Sequence, residues 1–112
     1  MNRRKELLRE FKERKPLGGV YRIVNEKNER YILDHAANIK SIQNRFEFAL
    51  KNNSLMDYKM KKDWDEQGGK HFKLEILEEV EQREDQTPAQ FMDELKTLEG
   101  LYRANFDPAK EY

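Results

Sequence analysis

Apolar residues near the start of the chain predict a β-hairpin. The segment 20–24 (Val-Tyr-Arg-Ile-Val) is rich in β-branched and aromatic residues, which favour a strand. A second apolar run, Tyr31-Ile32-Leu33, follows the polar and turn-prone stretch 25–29. We therefore expect two antiparallel strands joined by a turn at 25–29.

From Asn38 onwards the apolar period becomes helical. The apolar residues of this first helix of the core are Ile39, Ile42, Phe46, Ala49 and Leu50. Ser54 is a candidate N-cap for a second helix. The apolar residues of the second helix recur every four positions, at Met56, Met60 and Trp64. Gly68-Gly69 is expected to end that helix.

The second half of the chain predicts a third strand and a last helix. Apolar and polar residues alternate over 72–76, which indicates the strand. Apolar residues at the other positions of the alternation extend it to Val80. An acidic connection over 78–86 leads to Thr87-Pro88, a favourable helix start. The apolar stripe of the last helix is Phe91, Leu95, Leu98 and Tyr102. We expect 105–112 to be a tail held by little except Phe106 and Pro108.

These elements predict one domain, 1–112, with three parts. A basic helix in 1–17 carries an apolar stripe, a core spans 18–106, and a tail spans 107–112. The fold class is a small α/β (α+β) fold, in which helices flank a three-stranded, mostly antiparallel sheet.

Composition excludes several classes of protein. The 112 residues contain no cysteine, so a disulfide framework and a thiolate zinc site are excluded. No apolar stretch reaches the roughly 20 residues of a membrane span, and no apolar segment follows the basic start as in a secretory signal. We expect a cytoplasmic protein that does not bind membranes.

The net charge of zero conceals an asymmetry. Residues 1–74 carry 18 Lys and Arg against 11 Asp and Glu, a balance of +7, and residues 75–112 carry 4 against 11, a balance of −7. A basic portion attracts a polyanion such as nucleic acid. The alternative is that the two portions neutralise each other across the fold.

Two short strings, Gly19-Val20-Tyr21 and Tyr31-Ile32-Leu33, are the most specific feature of the sequence. A tyrosine from each of two paired strands is expected to bring two phenols close together. The strings resemble the paired motif of the GIY-YIG nuclease superfamily, with Leu33 where the family has Gly. The resemblance covers about 19–106, because 55–68 resembles the family's central helix, 71–78 its third strand and 98–102 its last helix.

The resemblance implies a chemistry for particular residues. Glu99 matches the glutamate that binds one divalent metal ion, Mg²⁺ or Mn²⁺, whose preference for hard oxygen ligands suits a carboxylate. Tyr21 matches the tyrosine that helps to activate the attacking water, and Tyr31 matches the one that contacts the phosphate region. The alternative is that the two tyrosines are cross-strand packing partners and that Glu99 is a solvated helix residue with no chemical role.

The chain departs from the family on its first core helix. In the register of that helix, Ile42 stands where the family has an arginine and Phe46 where it has a histidine. Arg45 is nearby and is the candidate replacement for the arginine that stabilises charge on the phosphate. His35 is a candidate to replace part of the lost function, or is an exposed loop residue.

Three functions remain open. One is a nucleic-acid-associated domain that does not cut, because the Arg/His pair and the motif Gly are replaced. A second is a metal-dependent DNA endonuclease, and a third is a non-catalytic protein-interaction domain. The candidate phosphate contacts are Arg3, Arg4, Lys5, Arg9, Lys12, Arg14, Lys15, Lys59, Lys61 and Lys62. We expect DNA binding of weak sequence specificity by a monomer or homodimer, and the resemblance points to a bacterial or phage origin.

Overall fold

The computed structural model describes residues 16–112. The helix expected in 3–14 and the basic residues Arg3, Arg4 and Lys12 lie outside the described residues. Six main elements follow one another along the described chain. They are strand β1 (Gly18–Asn25), strand β2 (Tyr31–Ala36), helix α1 (Ile39–Asn52), helix α2 (Lys61–Gln67), strand β3 (Phe72–Val80) and helix α3 (Pro88–Arg103). Short 3₁₀ turns occupy Tyr58–Met60, Gly69–His71 and Pro108–Lys110.

The three strands form one antiparallel sheet, as the sequence predicts, and their order in it is β2-β1-β3. The pairing of β1 with β3 shifts register between Val20 and Tyr21, so that Leu77 has no partner opposite it. An extra residue of this kind reverses which face the following side chains occupy. Leu74 and Leu77 pack on opposite faces of the sheet, as alternation requires for residues three positions apart.

Helices cover both faces of the sheet. On one face, α1 and α2 pack on the strands through apolar residues that include Ile42, Phe46 and Trp64. On the other face, Leu98 and Tyr102 of α3 pack against Val20 and the rest of a smaller cluster. The sheet is therefore the middle layer of the described fold, and β2 is an edge strand whose end is free to carry polar groups.

The helix boundaries follow their capping residues. The side chain of Asn38 accepts a hydrogen bond from the Ser41 amide and begins α1. Thr87 begins α3 with a complete capping box and Pro88 in its first turn, as predicted. The expected cap at Ser54 is wrong, because Asp57 caps the 3₁₀ turn that precedes α2.

The expectation that little except Phe106 and Pro108 holds the tail is also wrong, because Tyr112 is bonded as well. Phe106 packs against Tyr31, and the Tyr112 amide donates a hydrogen bond of 2.8 Å to the Tyr31 carbonyl oxygen. The Tyr112 hydroxyl donates to Asp63 at 2.5 Å. These bonds fix the last residues against the edge strand, a contact between distant parts of the chain that no local pattern encodes. Within residues 16–112, no helix has the length and apolar content needed to cross a bilayer.

Candidate active site at the edge of the sheet

Glu99 lies at the centre of a polar cluster beside the edge strand. Its helix neighbours Leu98 and Tyr102 pack against the sheet, which brings the Glu99 side chain to β2. One carboxylate oxygen, Oε1, lies 2.8 Å from His35 Nδ1, and the other accepts a hydrogen bond of 3.0 Å from Arg103. The Glu99 side chain is only 13% exposed. It is thus a held carboxylate rather than a solvated helix residue.

The end of β2 contributes Asp34 and His35 to the same cluster. One ligand-type atom from each of Asp34, His35 and Glu99 lies within 4.8 Å of the others. The Asp34 carboxylate also accepts a hydrogen bond of 2.8 Å from the His35 amide, which turns it towards the histidine. The sequence identifies His35 only as a candidate and gives no signal for Asp34, because both depend on where β2 ends relative to α3.

The two carboxylates have opposite pKa shifts. Burial raises the pKa of Asp34, and the nearby charge of Glu99 raises it further. Burial also raises the pKa of Glu99, but hydrogen bonds from His35 and Arg103 together outweigh it, so that the net pKa lies below its ordinary value. The surroundings therefore favour the charged form of Glu99 and disfavour that of Asp34.

Tyr21 lies on the neighbouring strand, paired with Asp34 across the sheet. Its side chain is buried, and this burial raises the pKa of the phenol well above its ordinary range. The charge of Asp34 raises the same pKa further, while that of Arg45 lowers it. Tyr21 therefore lies within electrostatic reach of both Asp34 and Arg45, and its hydroxyl stays protonated.

Tyr31 points away from Tyr21, so the expectation that the two phenols lie close together is wrong. In the observed register Tyr31 pairs with Val24 and Tyr21 pairs with Asp34, and this odd offset puts the two tyrosines on opposite faces. The Tyr31 hydroxyl donates a hydrogen bond of 3.1 Å to the Asp107 carbonyl oxygen. Tyr31 thus packs in the smaller cluster rather than beside Glu99.

The first core helix carries no charge at the two positions where the resemblance expects an arginine and a histidine. Ile42 and Phe46 are both buried in the larger apolar cluster. Arg45 is exposed on α1 and borders a groove of about 980 Å³ together with Asn38 and Phe48. Arg45 is therefore within electrostatic reach of Tyr21 and borders a different pocket from the one that Glu99 lines.

A cavity of about 170 Å³ adjoins Glu99, and both acidic and basic side chains line it. The basic ones are Lys59 and Arg103, and the acidic ones besides Glu99 are Asp34, Asp57 and Glu111. Sequence reasoning missed Arg103, although its position one turn after Glu99 on the same helix is a usable signal. Lys59 was predicted as a phosphate contact, whereas Lys61 is paired with Asp65 one helical turn away.

The arginine also connects the site to the end of the chain. The Arg103 guanidinium donates to Glu99, to Glu111 at 3.1 Å and to the Leu33 carbonyl oxygen at 3.4 Å. Leu33, which stands where the family has Gly, packs its side chain in the smaller apolar cluster. A leucine at this position is therefore compatible with the site, because only its backbone faces the arginine.

This sheet with its flanking helices defines the class of fold, and it is the GIY-YIG-like nuclease fold that the sequence predicts. The chain is similar to the catalytic domain of the homing endonuclease I-TevI, with a TM-score of 0.60 and 19% identity over 85% of this chain and 95% of that one. It is equally similar to a glutamate-to-alanine mutant of the same catalytic domain, with a TM-score of 0.60 and 18% identity over 86% of this chain and 91% of that one. No protein-family model and no curated protein matches the chain.

Proposed function

We propose that this chain is a metal-dependent endonuclease domain that cuts DNA. The observation that carries the proposal is the Glu99 carboxylate, held beside Asp34 and His35 at a cavity that Lys59 and Arg103 line together with several carboxylates. A site that cleaves a phosphodiester needs a bound divalent cation, a path for the phosphate and groups that orient the reacting atoms. The Glu99 cavity offers a candidate for each.

The donor groups fit Mg²⁺ or Mn²⁺. Glu99 is the metal ligand in this proposal, and a second carboxylate, Asp34, lies close enough for its pKa to be raised by the Glu99 charge. Two carboxylates that repel each other are a favourable place for a cation. When bound, such a cation polarises the phosphoryl oxygen and stabilises the leaving oxygen.

The remaining groups have separate roles in the proposal. Tyr21 keeps its proton, so it orients the attacking water or the phosphate as a hydrogen-bond donor. Arg103 and Lys59 neutralise the phosphate that enters the cavity, and Arg45 contributes positive charge on the Tyr21 side. Tyr31 supports the fold through its bond to Asp107.

A domain that binds DNA without cutting it is the second candidate. The buried Ile42 and Phe46, together with the orientation of Tyr31, favour it, because three groups that the resemblance expects in the site are absent from it. Lys59, Lys61 and Lys62 would then act with the basic residues Arg3, Arg4 and Lys12 as phosphate contacts.

A nicking assay on supercoiled plasmid with Mg²⁺ or Mn²⁺ tests the first candidate. Glu99→Gln removes the charge and keeps the size of the side chain, and Glu47→Gln is the matched control on an exposed position of α1. We expect wild type and Glu47→Gln to nick and Glu99→Gln to fail. Activity that survives in Glu99→Gln would refute the assignment.

A salt titration of DNA binding distinguishes the two candidates from a domain with no nucleic-acid role. Each phosphate contact contributes about 0.9 to the slope of log affinity against log salt. We expect Lys59→Gln to reduce that slope by about this amount and Lys51→Gln, on the last turn of α1, to leave it unchanged. Binding without nicking supports the second candidate, and a flat salt dependence refutes both.

A further inference from the structure

We propose that Asp34 and His35 are metal ligands together with Glu99, and that this mixed oxygen and nitrogen set binds Mn²⁺ in preference to Mg²⁺. The inference rests on the proposed function, which by itself requires only Glu99 as a ligand. It adds two residues that the paired sequence motif does not specify, and it predicts which cation the site selects.

The distances between the donor atoms fit a single ion. His35 Nδ1 lies 2.8 Å from Glu99 Oε1 and 3.6 Å from Asp34 Oδ1. Two ligands at about 2.1 Å from one ion are about 3.0 Å apart at an octahedral angle and about 3.4 Å apart at a tetrahedral one. The two spacings from His35 lie within a few tenths of an ångström of these values, and all three donor atoms lie within 4.8 Å of one another.

The surrounding bonds hold the donors in place. Arg103 binds the Glu99 oxygen that faces away from His35, which leaves the other oxygen directed at the imidazole. The His35 amide fixes the Asp34 carboxylate. The side chains of His35 and Glu99 are 18% and 13% exposed. Hydrogen bonds of this type orient metal ligands in known sites, and their loss typically weakens metal binding.

The nitrogen donor decides the selectivity. Mg²⁺ favours an all-oxygen shell and keeps several waters, whereas Mn²⁺, a softer ion, accepts an imidazole beside carboxylates more readily than Mg²⁺ does. Ligation through Nδ1 requires that nitrogen to be unprotonated, so that the one ring proton of the bound imidazole lies on Nε2. We therefore expect Mn²⁺ to bind more tightly than Mg²⁺.

Electron paramagnetic resonance of Mn²⁺ bound to the full chain tests the ligation without reference to activity. Pulsed measurements detect a ¹⁴N nucleus bonded directly to the ion, and titration calorimetry gives the affinities for Mn²⁺ and Mg²⁺. The chain has two histidines, so His71→Ala is a matched control for His35→Ala. His35→Asn is a second variant that retains a polar side chain.

We expect the ¹⁴N coupling in wild type and in His71→Ala and its loss in both His35 variants. Mn²⁺ affinity should fall by at least about tenfold in the His35 variants while Mg²⁺ affinity changes little. Asp34→Asn should weaken both ions. A wild-type spectrum without ¹⁴N coupling, or an equal loss of both affinities, would show that His35 only positions Glu99 and would overturn the inference.

The outcomes separate this inference from the proposed function. A nitrogen-bound Mn²⁺ in a chain that does not nick plasmid supports the metal site and refutes the nuclease. Nicking that depends on Glu99 with no ¹⁴N coupling supports the nuclease and refutes the role of His35 as a ligand.

Discussion

Gly19, the first residue of the Gly-Val-Tyr string, is expected to be required for the fold rather than for the chemistry. It lies on the central strand, where a Cβ atom would approach the Glu78 carbonyl oxygen to 2.1 Å and Ile39 Cγ1 to 3.0 Å. A carbon atom and a carbonyl oxygen normally stay at least about 3.3 Å apart, so alanine would displace the β3 backbone by about 1.2 Å. The contact is with backbone, which cannot rotate away.

The cost of Gly19→Ala follows from that displacement. Overpacking of a well-packed interior costs typically about 1–3 kcal/mol, and a backbone clash on the central strand belongs at or above the upper end. A domain of this size has a total stability of about 5–15 kcal/mol, so the loss is a large fraction of it. Gly100, at an exposed position of α3, is the matched control, because no atom lies within 4 Å of a Cβ added there. Gly100→Ala should stabilise the protein by about 0.5–1 kcal/mol.

Urea unfolding measures both variants, and fluorescence of the single, buried Trp64 reports on the core. The unfolding midpoint should fall in Gly19→Ala and rise in Gly100→Ala, with unchanged slopes if only the native state is affected. A Gly19→Ala protein within about 0.5 kcal/mol of wild type would refute the reasoning, because β3 would then have moved without loss of packing.

Three further predictions concern the site. Tyr21→Phe should slow plasmid nicking. Tyr31→Phe should nick normally but lose about 1 kcal/mol of stability in urea unfolding, because its hydrogen bond to Asp107 is lost. The reverse pattern would contradict the placement of the two tyrosines on opposite faces of the sheet. Arg103→Met should raise the pKa of Glu99, measured by NMR titration, because Arg103 and His35 lower it. Because the pKa of Glu99 is lower in the folded state, ionised Glu99 stabilises the fold above the unfolded pKa, and this stabilisation is lost as the pH falls. Arg103→Met should therefore lose stability at neutral pH and lose less in acid. An equal loss of stability at both pH values would contradict this link between pKa and stability. Asp34→Asn should raise the melting temperature at pH 7, because the raised pKa of Asp34 means that the fold disfavours its charged carboxylate. The substitution should have little effect below the unfolded pKa of the aspartate. A lowered melting temperature at pH 7 would contradict this prediction.

Local patterns predict the elements of this fold well and the site only in part. Alternation and capping chemistry predict the hairpin and the start of α3 at Thr87, because both depend on neighbouring residues. The face of Tyr31 depends on the strand register, which the turn sets through Glu29, a residue with a positive φ of 63° that composition does not indicate. Asp34 and the end of the chain reach the site only through contacts between distant segments, so no local signal marks them.

The buried first core helix explains where the positive charge of the site must come from. Ile42 and Phe46 lie in the larger apolar cluster, and an arginine at position 42 would bury a guanidinium at an effective cost of several kcal/mol. A charged side chain is therefore disfavoured at the two positions where the resemblance expects an arginine and a histidine, because both positions are buried in the apolar core. Arg103 provides positive charge from the same helix as Glu99, one turn away. It lines the cavity there without burying its guanidinium in the apolar core. Because Glu99 and Arg103 share one helix, a movement of α3 carries both groups together, whereas Arg45 on α1 adds positive charge only on the Tyr21 side.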